Sequence, residues 1–105
     1  MANNRDAFHS KLEKIVPNVI YNASENDKIK YPCIAYRISF ADNKFADNKA
    51  YSNHIAYEVT LMTTNATDEM PLIEKFFEEF TMVALKNTFV TEGIAHTVFT
   101  IYNTL

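Results

Sequence analysis

A chain of 105 residues, 48% of them hydrophobic, has the size and apolar content for one domain, residues 1–105, with a single core. The net charge is −3 at pH 7 and the ten Lys and Arg residues are scattered singly, so no basic stripe tracks a phosphate backbone and no nucleic acid contact is expected. No apolar run approaches the roughly 20 residues that a membrane-spanning helix needs, and the single Cys33 excludes an intramolecular disulfide and a multi-cysteine zinc site.

The opening residues Met1-Ala2-Asn3-Asn4-Arg5-Asp6 carry no apolar stretch of the signal-peptide kind, which points to a chain made and kept in a cytoplasm. The triplets Asn22-Ala23-Ser24 and Asn65-Ala66-Thr67 are then chance matches to a glycosylation pattern. Gly93 is the only glycine, against eleven asparagines. Turns that need positive φ must therefore rely on Asn and Asp.

Residues 4–16 place Ala7, Phe8, Leu12, Ile15 and Val16 at three-and-four spacing, which predicts an amphipathic helix stopped by Pro17. Val19-Ile20-Tyr21 reads as a short strand, and the polar stretch from 23 to 30 as a loop. From Pro32 the period changes to two. Ile34, Tyr36, Ile38 and Phe40 point one way and Cys33, Ala35, Arg37 and Ser39 the other, as in a strand with one apolar face.

The stretch "ADNKFADNKA" follows at residues 41–50 and repeats four residues almost at once. A second alternation comes after it, with Tyr51, Ile55, Tyr57, Val59 and Leu61 against His54, Ala56, Glu58 and Thr60. The two strands are expected to pair antiparallel across a connection of about ten residues, longer than the usual hairpin loop.

Thr67-Asp68 offers a cap for a second helix, with Glu69 and Pro71 suited to its first turn. Its apolar stripe is expected to comprise Ile73, Phe76, Phe77, Phe80, Val83 and Ala84, opposite Glu74, Lys75, Glu78 and Glu79. The runs 88–91 and 96–102 then form a terminal hairpin turning at Glu92-Gly93. The predicted class is α+β: a mostly antiparallel sheet with two helices packed on one face and a long β-hairpin loop. The other sheet face presents Ala35, Arg37, Ala56 and Thr60 to water or to another subunit.

No catalytic pattern emerges. His9 has Asp6 and Glu13 at helical spacing, the arrangement of a surface ion pair. His54 and His96 lie in strands as structural residues, and Cys33 lacks an activating base or helix N-terminus. Asp42, Asn43, Asp47 and Asn48 are oxygen donors, but an EF-hand counted from Asp42 meets Lys44 and Ala46 at ligand places, Asp47 at the glycine and Asn53 at the glutamate. Phosphate loops, nucleophile elbows and HExxH are also missing. No cofactor, metal or catalytic residue is expected, and the chain is not expected to be an enzyme.

Several segments, in order, resemble the tail-terminator or tail-completion family of long-tailed bacteriophages, the small head-tail joining proteins that cap the tail tube. The likeness rests on Pro17-Asn18-Val19-Ile20-Tyr21 after a first helix and on the strand Tyr31-Pro32-Cys33-Ile34-Ala35-Tyr36. It continues with the loop Ala46-Asp47-Asn48-Lys49-Ala50-Tyr51 and the strand Tyr57-Glu58-Val59-Thr60-Leu61, and ends with an acidic helix and a closing hairpin. It covers almost the whole chain and lies in order and spacing, since no single element is diagnostic. The first strand lacks the glycine expected before its proline, and Asp42-Asn43-Lys44 is an additional copy of the loop motif.

The resemblance implies a virion structural protein at the tail-head junction, assembled from the host cytoplasm into a homo-oligomeric ring, commonly a hexamer. Its expected partners are the major tail tube protein and a head-completion or stopper protein. The ring would stop tube growth and offer a head-docking face, with no membrane involved. A closed ring needs two different complementary patches on each subunit. The candidates are the loop residues Asp42, Asn43, Lys44, Phe45, Asp47, Asn48, Lys49 and Tyr51, and Arg37 with Glu58 on the polar sheet face. The alternatives are another phage neck protein and, from a different class, a small cytoplasmic α+β enzyme or ligand-binding domain with a concave polar pocket.

Overall fold

The computed structural model describes residues 4–22, 29–39 and 54–104. Two helices and five strands follow in the order α1 (Asn4–Glu13), β1 (Val19–Tyr21), β2 (Cys33–Ile38), β3 (His54–Thr63), α2 (Ala66–Glu79), β4 (Val83–Thr91) and β5 (Ile94–Thr104). The strands form one sheet in the order β1-β2-β3-β5-β4. Only the β1–β2 pair is parallel, so the fold is α+β with a mostly antiparallel sheet, as the patterning predicts.

Helix α1 places Asp6 in its first turn and Lys11 in its last, matching both ends of the helix dipole. A tightened turn follows, in which Ile15 N and Val16 N both donate to Leu12 O, and Pro17 then ends the run. Phe8, Leu12, Ile15 and Val16 are buried, but Ala7 is exposed and lies outside the apolar stripe. The strand β1 is anchored beside β2 by Ile34 N donating to Asn18 O and Asn22 N donating to Tyr36 O.

The central strands bury alternate residues against the helices. Ile34 and Tyr36 of β2, Tyr57, Val59 and Leu61 of β3, and Phe99 and Ile101 of β5 form one cluster with Phe8, Leu12, Ile73, Phe76 and Phe80. Both helices therefore lie on the same sheet face. Ring contacts tie the layers: Phe8 stacks on Tyr57 at 4.1 Å, Phe76 stacks on Phe99 at 4.3 Å, and Phe8 meets Phe80 at 5.3 Å. Such pairs add about 0.5–1.5 kcal/mol each beyond burial of their area.

The second helix departs from expectation at both ends. Its cap is Asn65, whose Oδ1 accepts from Thr67 N at 3.0 Å and from Thr67 Oγ1, while Asn65 N donates to Thr63 Oγ1. The start is therefore earlier than Thr67-Asp68, and Pro71 stands inside the helix rather than in its first turn. The helix ends at Glu79, because Phe80 turns to an extended backbone while its N–H still donates to Phe76 O. Val83 and Ala84 accordingly belong to β4 and not to the helix stripe. Phe77 is half exposed.

The hairpin from β4 to β5 turns at Glu92 and Gly93, as expected, with φ of 54° and 78°. Positive φ at both central residues is the geometry that suits the right-handed twist of a two-residue hairpin. Asn22 also adopts a positive φ of 52°, in keeping with reliance on asparagine, but the second such non-glycine residue is a glutamate. Strand β4 carries a bulge between Leu85 and Asn87.

Candidate functional site

The sheet face away from the helices is built by the residues that alternate with the core positions. Ala35 pairs with Thr60 and Arg37 with Glu58 across β2 and β3, and β5 adds Val98, Thr100 and Tyr102. With Ala56, which pairs with Tyr102, all four residues expected on the polar face lie here. Ala56 is nevertheless buried, a short side chain sunk among longer neighbours, while Arg37 is exposed.

The two interface candidates on this face come together. Arg37 Nη2 and Nε donate to Glu58 Oε1 at 3.1 and 3.3 Å, in a cross-strand ion pair. Their register makes this contact the direct result of strand pairing. Around them a shallow concavity of about 270 Å³ is lined by Asn22, Ala35, Tyr36, Arg37, Glu58 and Thr60. The two charges of the pair offset each other, leaving the concavity electrically balanced. The other candidates, Asp42, Asn43, Lys44, Phe45, Asp47, Asn48, Lys49 and Tyr51, lie outside the described residues.

His9, His96 and Cys33 sit in packed or hydrogen-bonded settings within the subunit. His9 Nδ1 lies 2.8 Å from Tyr36 Oη, and its Nε2 lies 3.9 Å from Glu13 Oε2. The expected helical ion pair is thus loose, and the shorter contact runs from α1 to the sheet. His96 Nδ1 lies 3.0 Å from Ile94 O, with its ring stacked on Phe89 at 4.6 Å. Cys33 is fully buried, and that burial pushes its thiol above its ordinary pKa, away from the thiolate a nucleophile needs. Among the described residues, no group of three His, Cys, Asp or Glu side chains is placed to hold a metal ion.

A further surface was not anticipated from the sequence. Leu85, Phe89 and Val90 of β4 are exposed, as are Met70 and Phe77 of α2 and Met82 between the two elements. In β4, Leu85 pairs with Phe99 and Val90 with Ala95 on the helix-facing side, whereas Phe89 pairs with His96 on the opposite side. The strand thus shows apolar side chains on both faces along one edge of the sheet. Exposed apolar groups gathered in this way mark contact surfaces more often than isolated ones do. The available signal was the odd placement of Leu85, Phe89 and Val90 around Lys86 and Asn87, which fits neither a helix stripe nor a strand with one apolar face.

No protein-family model matches the chain, and no curated protein matches it in sequence. Among the described residues, no helix is long and apolar enough to cross a membrane.

Proposed function

We propose that this chain is a tail-terminator-type subunit of a long-tailed bacteriophage, acting by covering the end of the tail tube as a homo-oligomeric ring. The observation that carries the proposal is the ordered run of matching segments, from Pro17-Asn18-Val19-Ile20-Tyr21 through Tyr57-Glu58-Val59-Thr60-Leu61 to the closing hairpin. The α+β architecture agrees with what the resemblance implies. The open sheet face and the exposed apolar residues of β4 and α2 suit a protein that works through surfaces.

In this role the chemistry is occupancy. A ring seated on the last tube layer removes the surface on which another layer would add, and its outer face becomes the docking site for the head. Each subunit needs two non-identical patches for ring closure. The Arg37–Glu58 region is one candidate patch, and the loop at 41–50 is the other.

The test uses purified protein with tail-tube protein from the same genome. Native mass spectrometry and negative-stain microscopy should show rings on tube ends and tubes that cease to lengthen. A protein that leaves tube growth unchanged and binds no tube end, at any ratio of the two, defeats the proposal. Association with the portal side in place of the tube would assign the chain to the neighbouring neck components.

A further inference from the structure

We infer that the valley between α2 and β4 is the seat of an amphipathic helix from a different protein, one that carries Lys or Arg beside its apolar stripe. This goes beyond the ring proposal and does not depend on it. Three observations carry it: a strand left uncovered on the helical face, two matching rows of exposed apolar residues, and an acidic flank.

Neighbouring strands lie about 4.8 Å apart and packed helices about 8–10 Å apart, so one helix covers about two strands. In the sheet order β1-β2-β3-β5-β4, α1 lies on the first part, with Phe8 against Tyr36 of β2 and Tyr57 of β3. Helix α2 follows β5, with Phe76 and Phe77 both against Phe99. The two helices therefore leave the outermost strand bare. Beyond Val83, every residue of β4 is exposed. The helical layer has room for a third helix there.

The valley has an apolar wall and an apolar floor. Met70 and Phe77 stand two turns apart on one flank of α2, about 10.5 Å along the helix. Leu85 and Val90 stand on the helix-facing side of β4, and Leu85 pairs with the same Phe99 that Phe77 touches. The chain enters α2 from Thr63, which pairs with Ala95 beside Val90, so Met70 lies toward the Val90 end and Phe77 toward the Leu85 end. The two rows thus run side by side, and all four side chains are at least 48% exposed. A helix laid in a groove engages it through anchors at i, i+3 or i+4, and i+7. That span equals the row on α2.

Charge identifies the occupant. Glu74 lies between Met70 and Phe77 on the same flank, and Glu78 stands one turn beyond Glu74. Both are exposed, and among the described residues neither is in an ion pair. Lys75 stands about 100° round the helix from Glu74, away from the valley, and Lys86 of β4 already interacts within the chain. The α2 side of the valley is therefore acidic, and a helix lying along it gains by setting Lys or Arg against Glu74 and Glu78. A second copy does not answer to this. The stripes of α1 and α2 are already buried in the core of their own subunit, and the exposed flank of α2 would bring Glu74 and Glu78 against the same residues of the partner subunit.

The experiment uses the isotope-labelled full chain and three fluorescent peptides of about 18 residues, above the length at which isolated helices are marginal. The first carries Leu at i, i+3, i+7 and onward with Lys on both flanks. The second replaces every Lys by Glu, and the third keeps the Lys but scrambles the Leu positions. Fluorescence anisotropy should show the first bound at least about tenfold more tightly than the other two, and amide shifts should move along residues 70–78 and 85–90. Glu74→Lys with Glu78→Lys should reverse the order of the first two peptides, and Leu85→Gln with Val90→Gln should weaken the first at least several-fold. These positions are exposed, and circular dichroism confirms the fold of each variant. Absence of binding by the first peptide at up to about 1 mM of the chain overturns the inference, as does binding that ignores the charge reversal or shifts confined to other surfaces. Self-association that Leu85→Gln with Val90→Gln abolishes also overturns it, since a second copy would then fill the valley. Ring formation on tail tubes is scored separately and bears only on the ring proposal.

Discussion

Thr97 is fully buried in β5, between Leu61 of β3 and Thr88 of β4, and its Oγ1 has no hydrogen-bond partner among the described residues. A hydroxyl desolvated without a partner costs about 1–3 kcal/mol, whereas a methyl group of the same shape costs nothing there. Thr97→Val should therefore stabilise the protein by about 1 kcal/mol, read as a higher urea midpoint at unchanged slope. A lower midpoint would show that the hydroxyl has a partner after all. Cys33 gives the pH dependence. Burial raises its pKa in the folded state, so on raising the pH the unfolded chain loses this proton first. The contribution to stability is complete below about pH 9 and declines as the pH climbs through the raised folded value. Cys33→Ala should remove that part of the alkaline decline, measured as the difference in denaturation slope with pH between the two proteins. The native thiol should also resist a thiol reagent until the chain is unfolded.

Among the elements, α1 shows how one side chain fixes a packing arrangement. Phe8 stacks on Tyr57, meets Tyr36 edge-on at 5.5 Å and touches Phe80, so it joins both helices to the sheet. Phe8→Ala should cost about 3–5 kcal/mol, a large share of the total stability of a small domain, and thermal denaturation would register it as a markedly lower midpoint. A loss below 1 kcal/mol would mean that α1 does not depend on this anchor. The same element was legible in the sequence, because burying one stripe imposes three-and-four spacing and Pro17 marks the stop. Strands β2 and β3 were legible for the same reason at period two: their helix-facing residues are buried or partly buried, and their outward ones, Met62 aside, are small or polar. The junction of α2 and β4 was not legible. Val83 and Ala84 stand three and four residues beyond Phe80, which mimics another helical turn, and no glycine or proline marks the change to extended backbone. As an exposed edge strand, β4 has no single face to bury and so no alternation to read. Parallel pairing of β1 with β2 was hidden as well, because residue spacing does not encode which distant strand lies alongside. The contact of His9 with Tyr36 joins residues 27 apart in sequence and escaped for that reason. Alternation alone placed Arg37 and Glu58 on the open face, where the strand register brings them together. The apolar edge of β4 was missed because exposed Leu, Phe and Val look like core residues until the fold shows them at the rim.

At the scale of the whole molecule, the described residues offer two candidate contact surfaces, the apolar edge of β4 and the open sheet face. A ring needs a patch that meets something unlike itself. The open sheet face around Arg37 and Glu58 is the described surface proposed for one side of such a contact. Within the subunit the pair adds little. Arg37 is 59% exposed in its side chain, and ion pairs so open to solvent contribute at most about 0.5–1 kcal/mol. Arg37→Ala should therefore shift the denaturation midpoint only slightly. If the pair is buried in an interface, the same truncation leaves an unpaired carboxylate desolvated at a loss of about 2–5 kcal/mol, enough to abolish ring formation on tube ends. The paired reversal, Arg37→Glu with Glu58→Arg, separates the two roles more sharply. It keeps the cross-strand bridge and the fold while exchanging the positions of the charges that a neighbour would meet. Capping of tail tubes that fails in this variant, at a melting temperature close to wild type, would place the open face in the ring contact. Capping at wild-type levels would reduce Arg37 and Glu58 to a pair that fastens β2 to β3, and would leave residues 41–50 as the remaining candidate patch. Deleting residues 41–45 is the matching experiment there. The β2–β3 register runs from Cys33–Met62 to Ile38–Tyr57, so the shortened subunit should fold and any defect should appear in assembly.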